Sequence, residues 1–135
     1  VKGNSKLLKK TAAGFVRDDF DHELVASLKT GSGLVIITGC SHNGVLNMVD
    51  AVKAKFPGEK VISVIGGFHL MGIPIFKNSM SVTSAEVEQI AKELLAYDIE
   101  KTYTMHCTGI RAFGILKKVM GERLGYLATG DSVSF

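Results

Sequence analysis

Apolar residues in the first third of the chain alternate with polar ones and then run together, a pattern typical of β-strands. Leu24, Ala26 and Leu28 occupy every second position, which predicts a β-strand. Thr-Gly-Ser-Gly at residues 30–33 is a turn sequence, and a continuous apolar run follows at residues 34–38. These segments together predict a β-hairpin whose second strand is buried.

Helical spacing replaces this pattern after the hairpin. Apolar residues recur at helical intervals between Val45 and Phe56, and Pro57 and Gly58 end the pattern. A second apolar run follows at residues 61–65. The sequence therefore predicts a β-α-β unit.

Two further helices are predicted in the second half of the chain. Thr83 and Glu86 have the spacing of a capping box, and an apolar stripe follows them at residues 87–95. A short strand is predicted at residues 101–105, and a third helix presents apolar side chains between residues 112 and 120. We therefore expect an α/β fold with about three helices.

The two ends of the chain complete this picture. Residues 1–20 contain scattered Lys, Gly and Asp without a sustained hydrophobic period, so we expect an irregular N-terminal arm. A final β-segment is predicted from Leu124 onward, and we expect the sheet to be mixed. The length of 135 residues fits a single domain over residues 1–135.

Composition and charge narrow the possible partners. The net charge of +3 comes from 16 Lys and Arg against 13 Asp and Glu, and the one dense basic cluster is Lys6, Lys9 and Lys10. This balance does not call for a nucleic-acid partner. No apolar run approaches the roughly 20 residues of a membrane helix, and no secretory signal pattern is present. We expect a cytoplasmic protein without a membrane partner.

Three histidines carry the main chemical signal, because each follows an apolar β-like run. His42, His69 and His106 end the segments at residues 35–42, 61–69 and 101–106. The carboxyl ends of parallel strands meet at one edge of a sheet, so these imidazoles are candidates for one metal site. Imidazoles suit a divalent metal, with zinc as the first choice and iron or manganese as alternatives.

Structural roles compete with this interpretation. His42 lies in Gly-Cys-Ser-His-Asn-Gly, where a turn histidine bonded to the backbone is the alternative. His69 stands between Phe68 and Leu70, so a packed core imidazole is an alternative there. His22 lies beside acidic residues that solvation explains equally well, and we place it outside the site.

The segment around His106 offers further groups. Thr108 and Gly109 open the third predicted helix, where free backbone N–H groups bind an anion, and Arg111 is a candidate for a phosphate contact. Cys40 and Cys107 each lie within two residues of a motif histidine, and we expect free thiols rather than a disulfide. A nucleophilic Cys107 is an alternative to a structural thiol.

Four motifs in a fixed order then carry a specific resemblance. These are Gly-Cys-Ser-His at residues 39–42, Gly-Gly-Phe-His-Leu at 66–70, His-Cys-Thr-Gly at 106–109 and Gly-Asp-Ser-Val-Ser-Phe at 130–135. The chain resembles the C-terminal half of a metallo-β-lactamase-fold protein. It is most similar to the branch that includes the archaeal dihydropterin and ribofuranosylaminobenzene-5′-phosphate synthases and related metal-dependent hydrolases.

The resemblance implies half of an αβ/βα sandwich with its active site at the edge that the two halves share. It also implies that His42 and His106 are metal ligands, and that His69 stands where many members carry a bridging aspartate. The His-x-His-x-Asp-His motif of the first half does not occur in this chain. We therefore expect the partner to be the missing N-terminal half or a second copy of the chain.

Two classes of function follow from these expectations. The first is a metal-dependent hydrolase or related transferase half-domain, acting on a small ester, phosphate-bearing or pterin-like substrate. In it, His42 and His106 bind metal, His69 binds metal or substrate, and Thr108, Gly109 and Arg111 hold an anionic group. The second is a non-catalytic interaction module, or an inactive fragment, that self-associates through its open sheet face. A redox protein that uses Cys107 is a third, weaker alternative.

Overall fold

The computed structural model describes residues 6–72 and 78–135. Its central feature is a five-stranded sheet in the order β3-β4-β5-β6-β7, in which β3 is antiparallel to β4 and the other pairs are parallel. The strands of this sheet are β3 (Val25–Lys29), β4 (Leu34–Thr38), β5 (Val61–Gly66), β6 (Lys101–Thr104) and β7 (Leu124–Tyr126), which follow a separate hairpin of β1 (Leu8–Thr11) and β2 (Gly14–Arg17). The helices are α1 (Val45–Lys55), α2 (Ser84–Ala96) and α3 (Ile110–Met120). The predicted α/β fold with a mixed sheet and three helices is confirmed.

The core lies between the helices and one face of the sheet. Each helix buries one apolar stripe, and these stripes join alternate residues of the central strands in one continuous cluster. Fully buried members include Ile36 of β4, Val64 of β5, Val49 of α1, Leu94 of α2 and Leu116 of α3. This packing holds the sheet rigidly and fixes the positions of the strand ends.

The opposite face of the sheet is not covered by these helices. Strand register places Ala26, Ile37, Ile65 and Tyr103 side by side in one row across four strands. Ile37 is 44% exposed, and Leu28 on the same face is 56% exposed. We call Ala26, Leu28, Ile37, Ile65 and Tyr103 the open face.

One prediction about the N-terminal segment needs correction. Strands β1 and β2, which fall inside the predicted irregular arm at residues 1–20, pair as an antiparallel hairpin. Gly14 has φ 119, and its carbonyl accepts a hydrogen bond from Thr11 Oγ1 at 2.9 Å. Because most hairpin residues are exposed, no hydrophobic period marks the strands. Residues 1–5 of the arm, and residues 73–77 in the loop after β5, lie outside the described residues.

The capping box of α2 is confirmed. Thr83 Oγ1 accepts from the Glu86 backbone N–H, and the Glu86 carboxylate accepts from the Thr83 backbone N–H at 2.7 Å. The Thr83 backbone N–H and the Thr83 hydroxyl both donate to the Glu86 carboxylate, and these two hydrogen bonds lower the pKa of the Glu86 carboxyl. The resulting stability is present above the ordinary pKa of a glutamate and is lost as the pH falls through the lowered value.

We expect Thr83→Ala to lower the free energy of unfolding by about 1 kcal/mol, because it leaves an N-terminal N–H of α2 without its side-chain acceptor. Urea unfolding followed by circular dichroism measures the change. Thr129→Ala, at an exposed position outside the helices and strands, is the matched control. Equal unfolding midpoints for the two variants would contradict the assigned role of the cap.

In the part of the chain that the structure describes, no helix has the length and apolar character needed to cross a bilayer.

Candidate functional site

The three motif histidines follow the carboxyl ends of neighbouring parallel strands. His42 lies after β4, His69 after β5 and His106 after β6. Ser41, His69 and His106 have positive φ angles of 53°, 48° and 51°. Such left-handed backbone is strained for residues other than glycine and is often found at functional sites. Three residues with left-handed backbone therefore lie in the loops at the sheet edge that the sequence predicts.

His42 and His69 face each other across this edge. Their ring centroids are 4.4 Å apart in an edge-on arrangement, and the other face of His42 stacks on Phe20 at 4.6 Å. Both histidines line a cavity of about 760 Å³ between the loops and α2. The two imidazoles are thus fixed in orientation beside a space large enough for a small molecule.

His69 has a ring nitrogen that the described residues do not bond. Its Nδ1 atom is buried and has no hydrogen-bond partner among residues 6–72 and 78–135. Burial lowers the pKa of His69, and the neighbouring His42 and His106 lower it further. The unprotonated nitrogen of a neutral imidazole can coordinate a metal ion, or it can accept a hydrogen bond from a donor group of a substrate. This environment is compatible with a site role for His69, and the packed core role stays the alternative.

Glu23 positions His42 and was missed by the sequence interpretation. One carboxylate oxygen accepts from the His42 backbone N–H at 2.6 Å and the other accepts from the Asn43 N–H at 2.8 Å. The first oxygen also lies 3.3 Å from His42 Nδ1, and the Glu23 side chain is only 9% exposed. The local sequence Asp-His-Glu suggests solvated charge, and only the fold reveals that Glu23 points inward. His22, which we place outside the site, is exposed, and its Nδ1 lies 3.7 Å from Asp21 Oδ1.

His106 turns toward two cysteines. Its Nδ1 lies 3.6 Å from Cys40 Sγ, and Cys107 Sγ donates to the Cys40 carbonyl at 3.7 Å. The ligand atoms of Cys40, His106 and Cys107 all lie within 4.8 Å of one another. Burial raises the pKa of the Cys107 thiol to about 12, and its hydrogen bond with Cys40 adds to this shift. Both cysteines are free thiols, as predicted.

The residues predicted to hold an anion, Thr108, Gly109 and Arg111, differ in how available they are for that role. The Thr108 backbone N–H already donates to the Met105 carbonyl, and the Thr108 hydroxyl accepts from the Phe68 N–H at 2.9 Å. Thr108 is fully buried, so its N–H is not one of the free donors that we predict. Gly109 begins α3 with φ 75, and Arg111 is exposed on the first helical turn. Thr108 therefore ties the loop after β6 to the loop after β5.

Comparisons with known proteins bear on these motifs. No protein-family profile matches the chain. It is 31% identical over 121 residues to a 7,8-dihydropterin-6-methyl-4-(beta-D-ribofuranosyl)-aminobenzene-5′-phosphate synthase of Methanocaldococcus jannaschii, a match that covers 89% of the chain and 38% of that enzyme. It is 32% identical over 93 residues to an uncharacterized protein of the same organism, covering 69% of the chain and 31% of that protein.

A solved structure gives the decisive match. The crystal structure of a metal-dependent hydrolase of the beta-lactamase superfamily superposes with a TM-score of 0.84 and 27% identity, over 100% of this chain and 49% of that chain. The chain is related to the metallo-β-lactamase superfamily. The resemblance predicted from the motifs is confirmed by this match and by the synthase relative.

The chain spans between about a third and a half of the length of the proteins that it matches. Its donor chemistry fits a divalent metal, because the sheet edge supplies imidazole nitrogens and thiol sulfurs, including the unbonded His69 Nδ1. The structure divides these donors into two groups. His42 pairs with His69, whereas the Nδ1 atom of His106 faces Cys40.

Proposed function

We propose that this chain is the C-terminal half of a metal-dependent hydrolase, or of a related transferase, in the metallo-β-lactamase superfamily. The observation that carries the proposal is the buried, unbonded Nδ1 of His69, which lies beside His42 in a cavity at the carboxyl edge of the sheet. An unsatisfied buried imidazole nitrogen destabilises a protein unless a ligand uses it. A metal ion or a substrate is therefore the natural partner of this nitrogen.

The proposed ligands of the metal are His42, His69 and His106, with His106 contributing the ring nitrogen that does not face Cys40. Zinc is the ion that we favour, and iron or manganese are alternatives that imidazole also accepts. A bound divalent ion activates water or polarises an oxygen of the substrate. Glu23 holds the His42 loop in place through two backbone N–H groups. The stacked ring of Phe20 shields one face of the His42 imidazole from water.

The proposed substrate is a small, phosphate-bearing molecule. The cavity of about 760 Å³ has the size of a small-molecule site. The name of the synthase relative includes a 5′-phosphate. Arg111 is exposed at the first turn of α3, and the amino end of a helix favours negative charge. Gly109 and Arg111 are therefore our candidates for the phosphate contact, in a cytoplasmic enzyme.

The open face supports the proposal that a partner completes the site. Ile37 and Leu28 expose large apolar side chains on a face that the described helices leave uncovered. Exposed apolar patches of this kind usually mark an interface. Since the chain spans 49% of the superposed hydrolase, we propose that this face packs against the N-terminal half of the fold, with a second copy of the chain as the alternative.

Metal stoichiometry tests this proposal. We expect titration of the full chain with Zn²⁺ to show a site that His42→Ala and His69→Ala each weaken roughly tenfold or more, because each variant removes a proposed ligand. His22→Ala, which removes an exposed histidine outside the site, is the matched control. Circular dichroism verifies that every variant is folded.

Zinc binding that His42→Ala and His69→Ala both leave unchanged would contradict the proposed histidine site. The alternative function, a non-catalytic interaction module, is favoured by the open face alone. It predicts a chain without metal affinity whose light-scattering mass falls when Ile37 is replaced by a charged residue.

A further inference from the structure

A second group of metal-ligating side chains lies at the same sheet edge as the His42–His69 pair and has different donor atoms. It consists of Cys40 after β4 and His106 with Cys107 after β6, and we call it the thiol cluster. Its atoms come from two loops that β5 separates in the sheet order. Their approach is therefore a product of the fold rather than of neighbouring sequence.

The spacing of the thiol cluster matches the spacing of ligands around one ion. A tetrahedral zinc ion holds sulfur at about 2.3 Å and nitrogen at about 2.0–2.1 Å, so its sulfur and nitrogen ligands lie about 3.6 Å apart. Cys40 Sγ and His106 Nδ1 are 3.6 Å apart. Cys107 Sγ lies within 4.8 Å of both atoms. A side-chain adjustment of about 1 Å would bring it to the separation of two sulfurs on zinc.

The surroundings leave room for these ligands. A side chain at Gly67 would place its Cβ atom 2.6 Å from Cys107 Sγ, so glycine at this position makes space for the thiol. Cys40 and His106 line a cavity of about 650 Å³ that also includes residues after β7. His106 is exposed and Cys40 is half-buried. The cluster therefore has an entry path for an ion and space for an additional ligand.

We propose that Cys40, His106 and Cys107 form a thiolate-rich site for a divalent ion of the zinc type. Two thiolates and one imidazole favour Zn²⁺ over ions that prefer oxygen ligands, such as Mn²⁺ or Mg²⁺. Each cysteine gives up its thiol proton to the solvent when the ion binds, because the thiolate is the ligand. Three protein ligands leave a fourth position open, which is the arrangement of reactive zinc sites rather than of closed structural ones.

This site differs from the proposed histidine site in its donors. Cys40 and Cys107 take part only in the thiol cluster, whereas His42 and His69 take part only in the histidine site. His106 is shared: it contributes Nδ1 to the thiol cluster and the opposite ring nitrogen to the histidine site, and because a neutral imidazole has one nitrogen lone pair, it serves only one of the two sites at a time. Variants of the cysteines and of His42 therefore separate the two proposals.

Cobalt spectroscopy on the full chain tests the thiol cluster. The chain, kept reduced, is titrated with Co²⁺, whose bonds to thiolate sulfur produce a charge-transfer absorption in the near ultraviolet. We expect this absorption in the unmodified chain and its displacement by Zn²⁺. Cys40→Ser and Cys107→Ser are each expected to weaken the absorption, because each removes one of the two Co–S bonds, and to lower the apparent Co²⁺ affinity at least about tenfold. His42→Ala is expected to retain it.

Each outcome distinguishes the two sites. Absence of the sulfur absorption in the unmodified, fully reduced chain would overturn the thiol cluster as a metal site. Its persistence at unchanged intensity in both cysteine variants would do the same. If cobalt binds without sulfur absorption and His42→Ala removes that binding, the thiol cluster fails while the histidine site stands. Circular dichroism of the two serine variants verifies that loss of absorption is not loss of the fold.

Discussion

Gly66→Ala is expected to lower the free energy of unfolding by about 3 kcal/mol or more. Gly66 ends β5, the middle strand of the sheet, and has φ 155. A Cβ atom at this position would lie 2.4 Å from the Thr38 carbonyl oxygen and 2.5 Å from Thr38 Cγ2. Thr38 belongs to the neighbouring strand and is itself buried, and its hydroxyl is hydrogen-bonded to that of Ser41 at 3.0 Å. The clash is therefore with atoms that cannot move away.

Urea unfolding followed by circular dichroism measures this loss, and Gly114→Ala is its control. A Cβ atom at Gly114 meets no heavy atom within 4 Å, and Gly114 lies inside α3. Alanine is the better helix former by roughly 1 kcal/mol, so this variant is expected to be more stable than the unmodified chain. A Gly66→Ala variant as stable as the unmodified chain would show that β4 and β5 are not packed as described.

Glu23→Ala is expected to lower the free energy of unfolding by roughly 2–4 kcal/mol, because it removes the acceptor of two backbone N–H groups in one loop. The Glu23 carboxylate accepts from His42 and Asn43 while it is largely buried. Loss of the carboxylate also frees the His42 ring, whose Nδ1 lies 3.3 Å from it. The same variant is therefore expected to weaken Zn²⁺ binding at the proposed histidine site by roughly tenfold or more.

Two controls separate this effect from the general loss of an acidic residue. Glu100 forms an exposed ion pair with Lys60, so Glu100→Ala is expected to change stability by less than about 1 kcal/mol. Glu23→Gln keeps one carbonyl acceptor and is expected to be intermediate. Equal unfolding free energies for Glu23→Ala and Glu100→Ala would refute the positioning role of Glu23.

The helices and the central strands were predictable because their burial is periodic. α2 shows this most directly: Val87, Ile90, Ala91 and Leu94 are buried at helical spacing, and Thr83 begins the helix through a local capping sequence. Each of these signals depends on residues that are close in the sequence. The hairpin of β1 and β2 lacks such a signal, because its residues are mostly exposed on both faces.

The site was predictable only to the level of the sheet edge. Topology brings His42, His69 and His106 to one edge, since each follows a parallel strand. The direction of each imidazole depends on the backbone angles of its loop. No local sequence motif predicts the left-handed φ angles of His69 and His106. Contacts between distant segments, such as Glu23 with His42 and Cys40 with His106, require the folded chain. Sequence reasoning therefore located the histidines but not their neighbours.

The left-handed backbone at His69 and His106 has an evolutionary consequence. An L-residue in this region costs roughly 1–2 kcal/mol that glycine would not. Selection for stability alone would therefore favour glycine at both positions. The proposed ligand roles of the two histidines would offset this gain. In a descendant released from its function, these two positions would be among the first to drift toward glycine, and such drift would mark the loss of the site.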